Sequence, residues 1–315
     1  MNLYPDVMRI SAVVIRTANI IDDYLLFWVL LAVGTGLAVP SLQRLSFLST
    51  PILALMIGAV SLTLSPEKIR AVRGRAAGLI LIVQSGMPFF AFGIASLLHL
   101  PPALTIGFVI LGAVTPELVT PTMTELSGGD TALSTVVLLL VGFGTLVFVP
   151  GIVTLLFGNS AGVDPLPIAK QLLLAVVIPM SLALVARHRW STRIKQYDDL
   201  YPSVSGLMVI LIIGIVTAGN ATVIRSGGSV LVIVLSGALV LNFGGYTVGW
   251  ISSRSLDRNE RIAATLSVGM RDFAVAAALL VGAGFPPAAT LPPVLFGVVE
   301  MTTSAALARW FRRTE

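Results

Sequence analysis

Ten long apolar segments follow one another along the chain, separated by short polar or charged connections. A helix that crosses the hydrocarbon core of a bilayer needs about 20 mainly apolar residues. The predicted spans are residues 24–40, 47–65, 76–98, 102–125, 131–157, 166–186, 203–221, 228–250, 260–283 and 289–309. The pattern therefore predicts an all-α polytopic membrane protein with ten transmembrane helices.

The fourth and ninth of these segments are interrupted by polar residues. The first break runs from Thr115 to Pro121, and the second runs from Ser267 to Asp272. Non-helical backbone at membrane depth persists only where protein or a water-filled cavity satisfies its N–H and C=O groups. Interrupted helices at corresponding positions of two halves indicate the binding site of a secondary transporter. We therefore expect the two breaks to meet near the membrane midplane and to form the site.

The composition agrees with a chain that lies mostly in lipid. Hydrophobic residues make up 56%, charged residues 11%, and the mean hydropathy is +0.95, whereas soluble domains carry about 25% charged residues. The net charge of +5 does not indicate a nucleic-acid partner, because no basic run is interleaved with aromatic residues. The absence of cysteine excludes disulfides and thiolate chemistry. No Walker A, GxSxG or HExxH motif is present, so we do not expect an enzyme.

The basic residues predict the orientation. Of the 20 lysines and arginines, only Arg44, Lys170 and Arg225 fall on one side and Arg271 lies within a span, so the rest lie on the other side. Connections rich in lysine and arginine face the cytoplasm. We therefore expect a multi-pass protein of the inner (plasma) membrane with both termini in the cytoplasm.

The spans divide into two groups of five. Residues 24–157 form the first predicted repeat, 158–165 a polar linker, 166–309 the second repeat, and 310–315 a cytoplasmic tail. Because five is an odd number, the two repeats have opposite orientations, as in inverted-repeat transporters. Residues 1–23 show no cleavable signal peptide and are interpreted as an interfacial amphipathic helix.

Several short motifs carry a resemblance to a known family. They are Phe27–Leu31, Ser61–Pro66, Met87-Pro88, Gly129–Ser134 and Ser267–Asp272, the last being similar to the family's Glu-Val-Gly-Met-Gln-Asn. Together they resemble the bile acid:sodium symporter family over nearly the whole chain. The resemblance implies a panel domain (helices 1, 2, 6 and 7), a core domain (helices 3–5 and 8–10), unwound crossing helices 4 and 9, two bound sodium ions, and an organic anion as substrate.

Most of the sodium ligands implied by the resemblance are substituted. The family's Ser-Asn pair reads Thr120-Pro121, its ninth-helix Glu reads Ser267, and its Gln reads Arg271. The remaining sodium candidates are Thr120, Ser134, Ser267 and Asp272. The wider set of substrate or ion candidates adds Gln84, Glu117, Val268, Met270, Arg271 and Glu300.

The ionisable residues within the spans leave three roles open for Arg271. Such groups are costly in a membrane and normally face a cavity or a partner. Arg271 could pair with a carboxylate and pin the crossover, or bind the anionic group of the substrate. It could also replace a sodium ion as a fixed countercharge while Glu117, Asp272 or Glu300 carries the transported cation.

The function predicted from these features is secondary transport of a small organic anion by alternating access, coupled to a cation that is sodium by resemblance. The alternatives are a sodium/proton antiporter or a proton-coupled anion symporter that uses the buried carboxylates. A membrane sensor without transport is a further alternative. No cofactor is expected apart from Na⁺ or H⁺ as the coupling ion, and the partners are the substrate and the lipid bilayer.

Overall fold

The computed structural model describes residues 20–21, 24–64, 72, 74–158, 164–226 and 228–313, and these residues form helices and connections without a strand. Helices satisfy their own backbone hydrogen bonds, which lipid cannot do. The all-α prediction is confirmed. The predicted interfacial segment 1–23 lies outside the described residues except for residues 20–21, as do most of the linker 158–165 and the last residues of the tail 310–315.

The helices of the first half follow the predicted spans in order. They are α1 (Leu25–Ala38), α2 (Ser49–Thr63), α3 (Gly74–Leu97), α4 (Pro102–Ala113), α5 (Thr120–Leu126) and α6 (Thr131–Phe157), with a 3-10 segment (Pro40–Leu48) between α1 and α2. Asp130 is the N-cap of α6, because its Oδ1 accepts a 2.9 Å hydrogen bond from the backbone N–H of Leu133.

Among the described residues, the second half contains more and shorter helices than the first. Its helices are α7 (Pro165–Leu172), α8 (Ile178–Arg189), α9 (Ser191–Lys195), α10 (Tyr201–Gly219), α11 (Ala221–Ser226), α12 (Ser229–Ser252), α13 (Arg258–Gly269), α14 (Phe273–Gly282) and α15 (Leu291–Arg313). A π-helical segment, Leu173–Val177, joins α7 to α8, and a 3-10 turn, Pro287–Thr290, precedes α15.

Eight helical stretches within the described residues are long and apolar enough to cross a membrane. Two predicted spans contain shorter helices: α1, within span 24–40, has 14 residues, and the first break divides span 102–125 into α4 with 12 residues and α5 with 7. Pro40 begins the 3-10 segment soon after α1 ends, and α4 ends where the first break begins. The multi-pass membrane fold is established, whereas ten spans and inverted repeats remain predictions.

Both breaks are present, with bounds that differ from those predicted. The first comprises residues 114–119, and Thr120 and Pro121 already belong to α5. Pro116 has no N–H and pushes the preceding residue towards extended backbone, which ends α4. The second break comprises only Met270, Arg271 and Asp272, because Ser267, Val268 and Gly269 are still helical. Asp272 caps α14, as its Oδ1 accepts a 2.8 Å hydrogen bond from the N–H of Val275.

The segment that contains the second break is the centre of the fold. In the apolar window of Arg258–Gly282, 94% of the residues are buried, compared with 39–61% in the other spans. We call α1, α2, α7, α8 and α10 the panel, and α3–α6 and α12–α15 the core. We call the end that holds Asn220 and Thr290 the Asn220 end. There α14 packs against α2, α7 and α10 of the panel, while α13, at the opposite end, packs against α3, α5, α6 and α12 of the core.

Candidate functional site

The two breaks contact each other in the interior of the fold. The backbone N–H of Asp272 donates a 3.0 Å hydrogen bond to the carbonyl oxygen of Thr115. Nη1 of Arg271 donates to the carbonyl oxygen of Val114 at 3.3 Å, and Oγ1 of Thr120 lies 3.8 Å from the sulfur of Met270. The prediction that the breaks converge is therefore confirmed, and each break satisfies part of the other's exposed backbone.

Four ionisable side chains are buried around this crossover. The exposed fraction is 0% for Arg271 and Asp272, 1% for Glu300 and 8% for Glu117. The guanidinium of Arg271 is hydrogen-bonded to Val114 through Nη1, whereas its Nε and Nη2 atoms have no hydrogen-bond partner. Within the described part of the chain no ion pair of Arg271 is found. Of the three roles left open for Arg271, the pairing with a carboxylate is not seen among the described residues, and the hydrogen-bond partner of the guanidinium is the carbonyl oxygen of Val114 in the first break.

The carboxyl groups are close enough to influence one another electrostatically. Glu117 interacts with both Asp272 and Glu300, and Glu300 also interacts with Arg271. One oxygen of Glu117, one of Asp272 and both of Glu300 are buried without a hydrogen-bond partner. If all ionise, negative charge exceeds the single positive charge of Arg271. In that ionised state the crossover would attract a cation, which its orphaned oxygens could bind.

A second set of candidate side chains lies on helices that pack around the breaks. Thr120, Ser134 and Ser267 are fully buried on α5, α6 and α13, and these three helices pack against one another. The hydroxyl oxygens of Ser134 and Ser267 have no hydrogen-bond partner. Hard cations take oxygen ligands from hydroxyl, carbonyl and carboxylate groups, so this donor set suits an alkali cation. Among the described residues no three His, Cys, Asp or Glu side chains cluster as a metal site.

The other predicted candidates have different surroundings. Gln84 lies on α3, which packs against α13, and both amide atoms of this buried side chain are without a partner. Val268 is helical, and its side chain lies against Gly249 of α12. Met270 is buried in the break itself. Val268 therefore contributes packing, while Gln84 offers an unpartnered polar group on a helix that packs against α13.

Sequence reasoning missed a polar group between α12 and α15. Asn242 donates from Nδ2 to the carbonyl oxygen of Gly269 at 3.3 Å, and its Oδ1 accepts a 2.7 Å hydrogen bond from Thr303. The ring of Tyr246 lies directly against Gly269, and its hydroxyl is buried without a partner. A fully buried asparagine inside a predicted span was the available signal.

Comparisons with known proteins agree with this architecture. A family model described as Sodium Bile acid symporter family matches residues 50–226, which include the first break. An uncharacterized sodium-dependent transporter of Bacillus subtilis (strain 168), YocS, is 26% identical over 91% of this chain and 90% of its own length.

Chloroplast proteins of plants are similar over a shorter stretch. A probable sodium/metabolite cotransporter of Arabidopsis thaliana, BASS1, is 23% identical over 74% of this chain and 58% of its own length. A rice counterpart (Oryza sativa subsp. japonica), BASS3, is 29% identical over 61% of this chain and 46% of its own length. The chain thus spans about half the length of these plant relatives.

Proposed function

We propose that this chain, which belongs to the sodium bile acid symporter family, is a secondary transporter that couples the movement of a cation to that of a small organic anion. The relatives are named as sodium-dependent transporters or sodium/metabolite cotransporters, and the chain is not an enzyme. Sodium is accordingly the coupling ion that we propose first.

The observation that carries this proposal is the meeting of two broken helices at a buried, unpaired charge cluster. Orphaned oxygens of Glu117, Asp272 and Glu300 are costly in the interior of a membrane protein unless a cation or proton binds them during the working cycle. Protein folding alone gives no reason to keep such groups without partners. A transported cation gives one.

Arg271 has a specific part in this proposal. Arginine stays protonated in proteins, so its guanidinium supplies a permanent positive charge where the resemblance implies a sodium ion. Its electrostatic interaction with Glu300 supports this role. The substrate's anionic group could also reach the unpartnered Nε and Nη2 atoms. The first role predicts fewer coupled cations, and the second predicts weaker substrate binding when Arg271 is replaced.

Alternating access is supported by the uneven contacts between core and panel. At the Asn220 end, Asn220 of the α10–α11 connection donates a 2.8 Å hydrogen bond to Thr290 of the core. On the same side of the break, Gln171 of α7 presses against Gly282 at the end of α14. The opposite half of the broken segment, α13, packs on core helices. We infer a state closed at the Asn220 end, and from the distribution of basic residues we propose that this end faces the outer side.

The test is uptake into proteoliposomes that contain the purified protein. The probes are labelled taurocholate and a panel of labelled small carboxylates, each offered with an inward sodium gradient, a pH gradient, or neither. Sodium-driven accumulation of at least one anion supports the proposal. Binding of a probe without accumulation under any gradient would leave only a sensor.

A sodium/proton antiporter is the second candidate, and the buried Asp272 and Glu117 carboxyls favour it. These groups could release protons when sodium binds, as in carriers that use intramembrane carboxylates. Proton efflux on addition of sodium, with no organic anion present, distinguishes this activity. Anion uptake that follows a pH gradient without sodium would instead indicate proton-coupled symport.

A further inference from the structure

An apolar pocket opens on the panel, away from the crossover. It has a volume of about 260 Å³ and lies between α1, the 3-10 segment Pro40–Leu48, the start of α2, and α10. Its polar side chains already have partners. The indole N–H of Trp28 donates to the carbonyl oxygen of Ile20, and the hydroxyl of Thr35 donates to the carbonyl oxygen of Leu31. The pocket therefore has no group that would hold the charge of a transported anion.

The mouth of the pocket lies on the surface that contacts lipid. Leu31, Leu45 and Leu211 line the pocket and are also exposed on the outside of a bundle that crosses the membrane. In the 3-10 segment three residues complete one turn, so Leu42, Leu45 and Leu48 share the face that lines the pocket. The surroundings of such a mouth are acyl chains, and a hydrocarbon chain matches its lining.

Two arginines belong to, or contact, the elements that form the pocket wall at the Asn220 end. Arg225 donates a hydrogen bond to the carbonyl oxygen of Leu37, two residues beyond Thr35 of the pocket wall. Arg44 is exposed within the 3-10 segment, next to Leu45. Together with Lys170, these are the basic residues that the sequence assigns to this side of the membrane. Basic residues at the edge of a pocket between transmembrane helices attract anionic lipid headgroups.

We propose that this pocket binds an anionic phospholipid, with one acyl chain between α1 and α10 and the phosphate near Arg44 and Arg225. An apolar slot open to lipid together with nearby basic residues matches such a molecule better than a zwitterionic lipid, whose headgroup has no net charge, or a soluble anion, which has no acyl chain. Since the pocket is built from panel residues alone, the lipid would fix the panel against which the core moves.

The experiment measures lipid retention by the full-length protein in detergent, using native mass spectrometry with dioleoyl phosphatidylglycerol and dioleoyl phosphatidylcholine. Phosphatidylglycerol should be retained preferentially. The double variant Arg44→Gln/Arg225→Gln should weaken that retention by about fivefold for each arginine removed. Lys170→Gln, which removes the other basic residue of that side, is the control and should leave it unchanged.

A second pair of variants keeps the test independent of any folding defect in the arginine variant. Leu31→Trp places a larger side chain at the mouth, whereas Leu30→Trp alters a neighbour that does not line the pocket. The two leucines are 48% and 49% exposed, so both variants are expected to fold alike. Leu31→Trp should lose phosphatidylglycerol and Leu30→Trp should keep it.

Three results would overturn the proposal. They are equal retention of both lipids by the unaltered protein, equal losses in Leu30→Trp and Leu31→Trp, and displacement of the lipid by millimolar inorganic phosphate. None of these bears on sodium-driven uptake, so the lipid site and the transport proposal fail separately.

Discussion

The side chain of Asp272 both caps a helix and supplies an ionisable carboxyl group, and two substitutions separate these two roles. Its Oδ1 caps α14 through the N–H of Val275 at 2.8 Å, while Oδ2 is buried without a partner. Asparagine caps helices as well as aspartate does, whereas loss of a cap to alanine costs about 1 kcal/mol. Asp272→Asn should therefore melt like the unaltered protein, and Asp272→Ala should be about 1 kcal/mol less stable.

The two variants should differ in stability but not in sodium-driven transport. Both variants lack the carboxylate, so both should lose sodium dependence in the proteoliposome assay to a similar extent, although only the alanine variant loses the cap. Thermal melting in detergent and sodium-driven uptake are measured on the same preparations. If Asp272→Asn keeps the sodium dependence of the unaltered protein, Asp272 is not a carrier of the coupling cation.

Asp130 provides the matched control. It caps α6 in the same way, through the N–H of Leu133 at 2.9 Å, but lies at a partly exposed connection away from the crossover. Asp130→Ala should cost about 1 kcal/mol, as Asp272→Ala does, while Asp130→Asn should leave both stability and sodium dependence unchanged. A loss of sodium dependence in Asp130→Asn would mean that the effect of Asp272→Asn is not specific to the crossover.

Three further predictions concern the gate, the packing of the second break and the fixed charge. Oxidised Asn220→Cys/Thr290→Cys should cross-link, block uptake and recover on reduction, because the closed Asn220 end must open in each cycle. Gly269→Ala should destabilise the protein by about 1–3 kcal/mol, since an added Cβ would lie 2.0 Å from Cδ1 of Tyr246. Arg271→Gln should raise the Hill coefficient for sodium activation of uptake, because a further cation must replace the lost charge.

Each of these three predictions has a control or an outcome that would contradict it. The chain contains no cysteine, so each single cysteine variant serves as a control that cannot form the cross-link within one chain. Uptake by a fully cross-linked protein would contradict the proposal that the Asn220 end opens in each cycle. Gly78→Ala adds a Cβ that meets nothing within 4 Å, and equal melting of the Gly78 and Gly269 variants would contradict the packing argument. A higher KM for the anion with an unchanged Hill coefficient would assign Arg271 to substrate binding instead.

The helical membrane fold and the positions of both breaks could be predicted from the sequence because they depend on local composition. Long apolar runs have to satisfy their backbone internally in lipid. Pro116 ends α4 wherever the chain is placed, and Asp272 is a helix-capping residue type at the start of an apolar run. These features do not depend on which helices are neighbours, so they can be recognised from the sequence alone.

The exact bounds and partners could not be predicted in this way. Ser267–Gly269 remain helical because α13 is packed on several sides by core helices. The guanidinium of Arg271 contacts the carbonyl oxygen of Val114 and not a carboxylate, because the geometry of the crossover brings that backbone within 3.3 Å. Asn242 within span 228–250 signals a polar group in the membrane, but its contacts with Gly269 and Thr303 depend on how α12 packs against α13 and α15.

What the sequence determined is therefore the class of protein and the chemistry available at the membrane interior: three carboxyl groups, one arginine and several hydroxyls on segments that break. What only the tertiary structure decided is which of these groups meet and which are left without partners. The reason is physical, since periodicity and propensity act over a few residues, whereas the contact between Thr115 and Asp272 joins residues from opposite halves of the chain.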